Sequence, residues 1–273
     1  MMQLLKVKFA TAIALSLVLS ACQSLFSEPA MKTQRAEFVA PNYKVSDNAQ
    51  TKQRIASEQR LGLAWQRLRS GDAKSAELEA RTVLKANPKS ASALTLLAVL
   101  AERNGARAES GDYYKRAAEA APTQGDVINN YGAWLCENAA PAESLVWFDR
   151  ALTAPGYRNP ESALANAGGC ALKVGQYDRA DRDLRRALSL APKNAYALAS
   201  MAQSEYHQKR YFEARAFTER RLDAAPATAA VLQLAADIEE RLGDKAAASR
   251  YVQRLRAEFP NAVAANPGDK KAP

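Results

Sequence analysis

Prolines and glycines that recur at a fixed period constrain the fold of this chain more than any other feature of the sequence. The period is about 34 residues, and it is marked by five prolines: Pro88, Pro122, Pro192, Pro226 and Pro260. Half a period ahead of four of these prolines lies a glycine: Gly71, Gly105, Gly175 and Gly243. Because glycine favours tight turns and proline stops helices, the pattern predicts one turn and one helix end in every unit. The interval between Pro122 and Pro192 is two periods long with a two-residue insertion, so it holds one further unit.

Small residues recur at two fixed places in the same units, where a pair of antiparallel helices would cross. One lies five residues after each glycine: Ala76, Ser110, Ala180 and Ala248. Another lies seven residues before each glycine: Ala64, Ala98, Gly168 and Ala236. This combination with a closing proline is the tetratricopeptide repeat pattern. We therefore predict an all-α fold, a right-handed α-α superhelix of six repeats over residues 57–90, 91–124, 125–158, 161–194, 195–228 and 229–262.

The stretch 1–22 indicates a targeting segment rather than a part of the fold. Two lysines precede an apolar run over residues 9–21, which is too short to cross a membrane and is typical of a signal peptide. The run ends in Leu19-Ser20-Ala21-Cys22, which resembles the bacterial lipoprotein box. The resemblance implies that residues 1–21 are removed and that Cys22 is acylated. Ordinary signal-peptide cleavage beside an unmodified cysteine is the alternative.

Polar, irregular sequence separates the candidate lipidation site from the repeats. Residues 22–52 carry two prolines and no helical stripe, so we predict a flexible tether that ends in a repeat domain over residues 53–262. The helical region is expected to begin near Thr51 to Ser57. Residues 263–273 are expected to form a disordered tail. In lipoproteins an aspartate after the cysteine marks inner-membrane retention, so Gln23 favours the outer membrane.

Composition and motifs exclude several classes of function. The net charge of +9 comes from 38 basic and 29 acidic residues, and the signs alternate along the chain, which favours a solvated surface over a nucleic-acid patch. His207 is the only histidine, and the sequence has no nucleophile motif, phosphate-binding loop or metal-ligand spacing. Six repeats, a tether and a signal peptide leave no residues for a catalytic domain. We therefore predict no enzymatic activity, no cofactor and no metal.

Two cysteines lie one repeat apart, at Cys136 and Cys170. Because their spacing equals the period, both thiols lie on the first helices of neighbouring repeats, at nearly the same face. In the oxidising compartment that a signal peptide implies, two close thiols form a disulfide, and we predict one here. The alternative is a pair of buried thiols that act as small apolar core residues.

Asparagines interrupt the first helix of the third repeat, where helix propensity disfavours them. First helices line the concave surface in this fold, and the repeat positions that face it predict a protein-binding groove: Asn129, Asn130, Ala133, Cys136, Glu137, Asn166 and Gly169. Side-chain amides can hydrogen-bond the backbone of an extended or a helical segment. We interpret Asn129 as a binding residue. For Asn130 and Asn166, binding and packing remain equally open.

Taken together, these motifs resemble those of the type IV pilus pilotins called the PilF or PilW family. The resemblance rests on the lipoprotein box, the six repeats, and the octet from Asn129 to Cys136 followed one repeat later by residues 166–170. The sequence departs from the family at Trp134, where phenylalanine is expected, and at Gly169, where a larger residue is usual.

A role without catalysis is what this resemblance implies. Such a protein is anchored by its lipid on the periplasmic face of the outer membrane and is monomeric when free. It binds subunits of the pilus secretin in its groove, brings them to the outer membrane and promotes their assembly into a ring. The alternative is a general periplasmic scaffold for cell-wall or outer-membrane protein assembly that uses the same groove for another client.

Overall fold

Twelve α-helices make up the part of the chain that the structure describes. In the computed structural model, residues 48–138 and 140–261 are described, and no strand occurs within them. The helices are α1 (Ala49–Arg69), α2 (Ala73–Ala86), α3 (Ala91–Arg103), α4 (Arg107–Ala120), α5 (Gly125–Glu137), α6 (Pro141–Leu152), α7 (Pro160–Lys173), α8 (Tyr177–Leu190), α9 (Ala195–His207), α10 (Tyr211–Ala224), α11 (Ala229–Leu242) and α12 (Lys245–Glu258). Each helix packs on the next along the chain, so odd and even helices form six hairpins. The predicted all-α stack of six repeats is confirmed.

Turns and helix ends fall where the glycines and prolines place them. The four repeat glycines adopt positive φ angles of 73° to 90° between the first and second helices. Five second helices end two residues before a repeat proline, at Ala86, Ala120, Leu190, Ala224 and Glu258. The third repeat carries the insertion in its connection to the fourth, which spans residues 153–159, whereas the other connections between repeats span four residues.

Helices within each hairpin approach closely because small residues lie at their crossing. All eight small residues that the pattern singled out are buried: Ala64, Ala76, Ala98, Ser110, Gly168, Ala180, Ala236 and Ala248. The largest side chains in the core surround them, and those that are almost wholly buried include Leu94, Ile128, Phe148, Leu184, Met201 and Leu232. A single repeat cannot cover such residues by itself, so each one depends on its neighbours for a dry core.

The first helix is longer than the others and begins earlier than the sequence predicted. Its 21 residues start at Ala49, inside the stretch assigned to the tether. Asn48 explains this start, because its side-chain oxygen accepts a hydrogen bond from the backbone N–H of Thr51 at 2.8 Å and so caps the helix. The two additional turns run ahead of the first repeat, which begins at Ser57.

Several predictions concern residues outside the described part of the chain. The predicted signal peptide, the predicted lipidation site at Cys22, most of the predicted tether and the predicted C-terminal tail all lie there. Within the described residues, none of the helices is both long enough and apolar enough to span a bilayer.

Candidate functional site

The asparagine-rich octet lies within α5, on the first helix of the third repeat. Asn129 is 8% exposed and Asn130 is half-buried. The amide Nδ2 of Asn166, on α7, donates to Oδ1 of Asn129 at 3.1 Å. The two asparagines from successive repeats therefore form a pair across the surface that α5 and α7 share. Within residues 48–138 and 140–261, the side chain of Asn130 makes no hydrogen bond.

A disulfide joins α5 to α7 through Cys136 and Cys170, whose Cα atoms are 5.9 Å apart. That separation lies within the range that a disulfide bridges without backbone movement. Both cysteines are buried, and the hydroxyl of Ser144 on α6 lies 3.0 Å from Sγ of Cys170. The bond thus sits at the point where three helices of the third and fourth repeats meet.

Two polar contacts extend this connection toward both ends of the helices. Near the start of α5, Nδ2 of Asn159 donates to Oδ1 of Asp126 at 2.7 Å. Near its end, Nζ of Lys173 lies 2.7 Å from Oε1 of Glu137. With the asparagine pair and the disulfide between them, these contacts make four side-chain links between α5 and the segment that begins α7. Glu137 is exposed, so its ion pair adds little to stability.

Gly169 is buried because a tyrosine of the following repeat lies directly on it. A Cβ atom at position 169 would lie 2.8 Å from Cζ and 2.9 Å from Cε1 of Tyr196, too close for carbon atoms. The absence of a side chain at Gly169 is therefore what lets the first helix of the fifth repeat, α9, place this ring against α7. Here the structure explains the glycine that departs from the family pattern.

Tyr196 is a residue of this surface that the sequence analysis did not single out. It is 43% exposed. Burial of its hydroxyl, together with the negative charge of Glu137, raises the pKa of Tyr196 above its usual value, while a hydrogen bond from Ser200 acts in the opposite direction. The phenol is therefore protonated at neutral pH. Tyr196 is the second residue of its repeat, a position that faces the concave surface, so the signal for it was present in the sequence.

We call this surface the inner face and define it by Asn129, Ala133, Asn166, Gly169 and Tyr196. Ala133 is half-buried, and Ala165, between Asn166 and the helix start, is buried. The inner face thus combines a floor of small residues, one amide pair and one partly exposed ring. Cys136 is buried beneath the inner face, and Glu137, the last residue of α5, is exposed.

Trp134, the other departure from the family pattern, packs between repeats. Its ring is stacked on Tyr131 with the centroids 6.3 Å apart, and it lies against Gly111 of α4. The larger ring is therefore accommodated by a glycine in the preceding repeat.

Further features of the described chain lie outside the inner face. His207 is exposed, and its ring lies at the edge of Tyr206, with the centroids 6.1 Å apart. Within the described residues no group of three His, Cys, Asp or Glu side chains is placed to hold a metal ion. A cavity of about 370 Å³ in the last two repeats is lined by charges of both signs, among which Arg215 and Glu239 pair with each other.

Known proteins with the same organisation were found by comparison of sequence and of structure. The tetratricopeptide repeat family model matches residues 61–125 and 171–231. The type IV pilus assembly protein PilF of Pseudomonas aeruginosa is 23% identical over 203 residues, which cover 74% of this chain and 80% of PilF. A crystal structure of PilW, described as a widely conserved type IV pilus biogenesis factor, superposes with a TM-score of 0.69 at 28% identity and covers 76% of this chain and 94% of PilW. A solved PilF structure from Pseudomonas aeruginosa gives a TM-score of 0.68 at 22% identity, with 77% and 95% covered.

Proposed function

The chain is a tetratricopeptide repeat protein, homologous to PilF and similar in structure to PilW, and we propose that it serves type IV pilus biogenesis as an outer-membrane pilotin. In this role Cys22 carries the lipid that anchors the protein to the periplasmic face of the outer membrane. The repeat domain binds subunits of the pilus secretin and promotes their localisation and assembly. The protein acts by binding and performs no reaction.

The observation that carries this proposal is the extent of the agreement with PilW. The superposition covers 94% of that protein at 28% identity, so it includes almost all of its solved chain and not one or two generic repeats. Tetratricopeptide repeats by themselves occur in many unrelated scaffolds. A likeness that extends over nearly a whole solved chain supports a shared role more strongly than the repeat pattern does.

The inner face supports a binding role for the repeats. Asn129 and Asn166 provide amide groups, and Tyr196 provides a partly exposed ring, on a surface that the disulfide and three polar contacts hold in place. A partner that meets such a surface finds groups already positioned, which reduces the entropy lost on binding. Pre-organised amides and an aromatic ring suit a polypeptide ligand.

Membrane attachment is tested by replacing Cys22 with alanine. Each buried methylene of an acyl chain contributes about 0.8 kcal/mol, and two or more chains give a lasting anchor. The Cys22→Ala chain should fold and yet leave the outer-membrane fraction, as measured by fractionation of membranes and circular dichroism. Retention of the folded variant in the outer membrane would contradict the lipid anchor.

The partner is tested by affinity capture from cells that assemble pili, with the tagged full-length protein as bait. We expect the pilus secretin to be captured, and we expect an Asn129→Ala, Asn166→Ala variant to capture less of it. The Tyr177→Ala variant is a matched control, because Tyr177 is a similarly exposed tyrosine on α8, outside the inner face. Capture of cell-wall enzymes or outer-membrane assembly factors without secretin would support the general scaffold instead.

A further inference from the structure

Arginine recurs at one position of the repeat on the second helices, away from the inner face. Arg150 of α6, Arg186 of α8 and Arg220 of α10 follow one another at the repeat period, once the two-residue insertion is allowed for. Each directly precedes a buried residue of its helix, so the three side chains leave the core in the same direction. All three are exposed, and all lie near the C-terminal end of their helix.

Connections that follow two of these helices add cations at the same edge of the domain. Arg158 lies between α6 and α7, Lys193 lies between α8 and α9, and both are exposed. Nη2 of Arg220 lies 3.4 Å from the carbonyl oxygen of Pro192, which brings this guanidinium back to the second connection. We define the basic edge by five residues: Arg150, Arg158, Arg186, Lys193 and Arg220.

The positive charge of the basic edge is not neutralised by carboxylates nearby. Residues 150–160 and 186–196 include no aspartate and no glutamate. Within the described residues, none of the five cations forms an ion pair. Along α8, where the signs alternate, Arg185 pairs with Asp181, whereas Arg186 is left without a partner of opposite charge in the described chain.

Acidic residues that are adjacent in the sequence face other parts of the molecule. Asp149, which precedes Arg150, pairs with Arg179 of α8 at 2.7 Å. Glu219, which precedes Arg220, lines the cavity of the last two repeats. Charges that are mixed along the chain are therefore separated in space, and the basic edge keeps a positive potential.

Aromatic rings support two of the arginines. The guanidinium of Arg150 lies 4.2 Å from the centroid of the Trp147 ring, and that of Arg220 lies 5.3 Å from the centroid of Phe217. A guanidinium that rests on a ring keeps the N–H groups at its edge available and is already held in place. Such groups donate paired hydrogen bonds to phosphate and carboxylate oxygens.

Exposed aliphatic side chains lie among these cations. Leu190, one turn after Arg186, is 53% exposed, and Val146, one turn before Arg150, is 59% exposed. A soluble polyanion offers such side chains no apolar surroundings. A bilayer surface offers headgroup phosphates to the cations and the acyl-chain boundary to the aliphatic groups. The combination therefore favours a membrane over a soluble acidic partner.

We infer that the basic edge docks the repeat domain on a membrane surface of anionic phospholipid, with its cations against headgroup phosphates and Leu190 at the acyl-chain boundary. This inference rests on the proposed function in one respect, the lipid on Cys22 that keeps the domain near a membrane. It adds a second, reversible contact and an orientation. The last turn of α8 then lies at the membrane, and the turn that precedes α8 lies away from it.

The test places a fluorescent label at either end of α8 in the acylated full-length protein and measures quenching by nitroxide-labelled lipid headgroups. The label at Ser189→Cys lies at the basic edge. The matched control, Gln176→Cys, lies about 20 Å away at the other end of the helix. Vesicles consist of phosphatidylcholine alone, or of phosphatidylcholine with about a third phosphatidylglycerol.

Phosphatidylglycerol should increase the quenching of the Ser189 label roughly twofold and leave the Gln176 label unchanged, because docking brings only one end of α8 to the headgroups. Salt at about 1 M, where the Debye length is about 3 Å, should reverse the increase.

Charge variants test the arginines. Each basic residue near an anionic surface strengthens the contact about fivefold, so Arg150→Gln, Arg186→Gln, Arg220→Gln together should lower the ratio of docked to undocked protein about a hundredfold. The Ser189 label should then be quenched as in phosphatidylcholine. The control removes the same charge from exposed cations at the opposite ends of second helices, and it should keep the phosphatidylglycerol effect: Lys74→Gln, Arg107→Gln and Lys245→Gln.

A leucine pair tests the apolar contact. Leu190→Gln should lower the ratio of docked to undocked protein about threefold, whereas Leu78→Gln, at an exposed leucine of α2, should leave it unchanged. Circular dichroism establishes that each variant is folded. If the triple arginine variant unfolds, the two labels on the otherwise unchanged protein and their salt dependence still decide the question.

Three results would overturn the inference. They are equal quenching of the Ser189 label in both kinds of vesicle, equal losses by the two triple variants, and equal effects of Leu190→Gln and Leu78→Gln. Equal quenching together with binding of soluble polyglutamate that the triple arginine variant loses would assign the basic edge to an acidic polypeptide instead.

Failure of the proposed function looks different. A mature chain without lipid would not float with phosphatidylcholine vesicles, and its flotation with phosphatidylglycerol through Arg186 and Arg220 would leave this inference standing. Flotation with both kinds of vesicle, without preferential quenching of the Ser189 label, would leave the anchor and refute the docking. Secretin capture reports on the pilotin role separately.

Discussion

Lys209 occupies a backbone conformation that four other repeats achieve with glycine. It is the one non-glycine residue with positive φ within the described ranges, at 61°. It stands in the fifth repeat where Gly71, Gly105, Gly175 and Gly243 stand in others. A residue with a Cβ atom is strained in this left-handed region, by roughly 1–2 kcal/mol. The helix pair nevertheless closes there, because packing of α9 on α10 determines the turn.

Replacing Lys209 with glycine should therefore stabilise the domain. We expect Lys209→Gly to raise the free energy of unfolding by about 1 kcal/mol, after the greater flexibility of glycine in the unfolded chain is included. Urea denaturation followed by circular dichroism measures this. The control is Lys193→Gly, at an exposed lysine whose φ is not positive, which should be neutral or slightly destabilising. Equal effects of both substitutions would show that the strain at Lys209 is absent.

The sequence predicted which repeat positions carry the inner-face side chains, but it could not predict the contacts that these side chains make. The repeat pattern assigned Asn129 and Gly169 to the concave surface, because residues at equal repeat positions face the same way. It could not predict that Asn166 pairs with Asn129, since Asn166 is one position out of step with it. Nor could it predict that Tyr196 lies on Gly169, because such a contact depends on how closely two helices approach.

Helices α5 and α7 are tied together more extensively than neighbours in a repeat stack need to be. Asp126 and Asn159, Asn129 and Asn166, Cys136 and Cys170, and Glu137 and Lys173 link them from one end to the other. The spacing of the two cysteines equals the repeat period, and this is why the sequence alone indicated the disulfide. The three polar links have sequence separations of 33, 37 and 36 residues, which differ from the period of 34, so the period alone did not indicate them.

The disulfide should contribute strongly to stability. In the chain-entropy model a bond between cysteines with a sequence separation of 34 contributes roughly 3–4 kcal/mol. We expect Cys136→Ala, Cys170→Ala to lower the free energy of unfolding by that order, measured in urea without reductant. Reductant should destabilise the wild-type protein and leave the double variant unchanged.

A direct measurement complements this comparison. Mass spectrometry of a non-reducing digest should recover the Cys136 and Cys170 peptides as one linked species. Recovery of two peptides with free thiols would show that the pair acts as core residues instead.

The position of a repeat in the stack determines how much its residues contribute to stability, because each repeat is covered only by its neighbours. Leu63 and Leu97 occupy the same position in the first and second repeats, one period apart. Leu97 is 2% exposed, whereas Leu63 is 56% exposed because, within the described residues, no helix ahead of α1 covers it. The first repeat therefore ends the stack with a face that meets solvent.

This difference predicts opposite outcomes for the same substitution. Leu97→Ala should lower the free energy of unfolding by roughly 2–5 kcal/mol, since it leaves a cavity in the core. Leu63→Ala should change it by less than about 0.5 kcal/mol, as expected for a surface site. Both are measured by urea denaturation. A large loss at Leu63 would show that another part of the protein covers this end.

The fold as a whole was predictable because one period encodes it. Five closing prolines and four turn glycines recur with this period, and the one doubled interval holds a further unit, so the pattern identified six repeats. The start of the domain was predicted less well, since α1 begins at Ala49 and not near Thr51 to Ser57. The side chain of Asn48 caps the helix and sets that boundary. Such a cap is a single local contact, so the repeat period does not predict it.

The length of α1 determines where the preceding chain joins the domain. Eight helical residues, 49–56, come before the first repeat, and at 1.5 Å per residue they lengthen α1 by about 12 Å. A spectroscopic label attached at Asn48 would therefore be joined to the first repeat through about two turns of helix rather than through flexible chain.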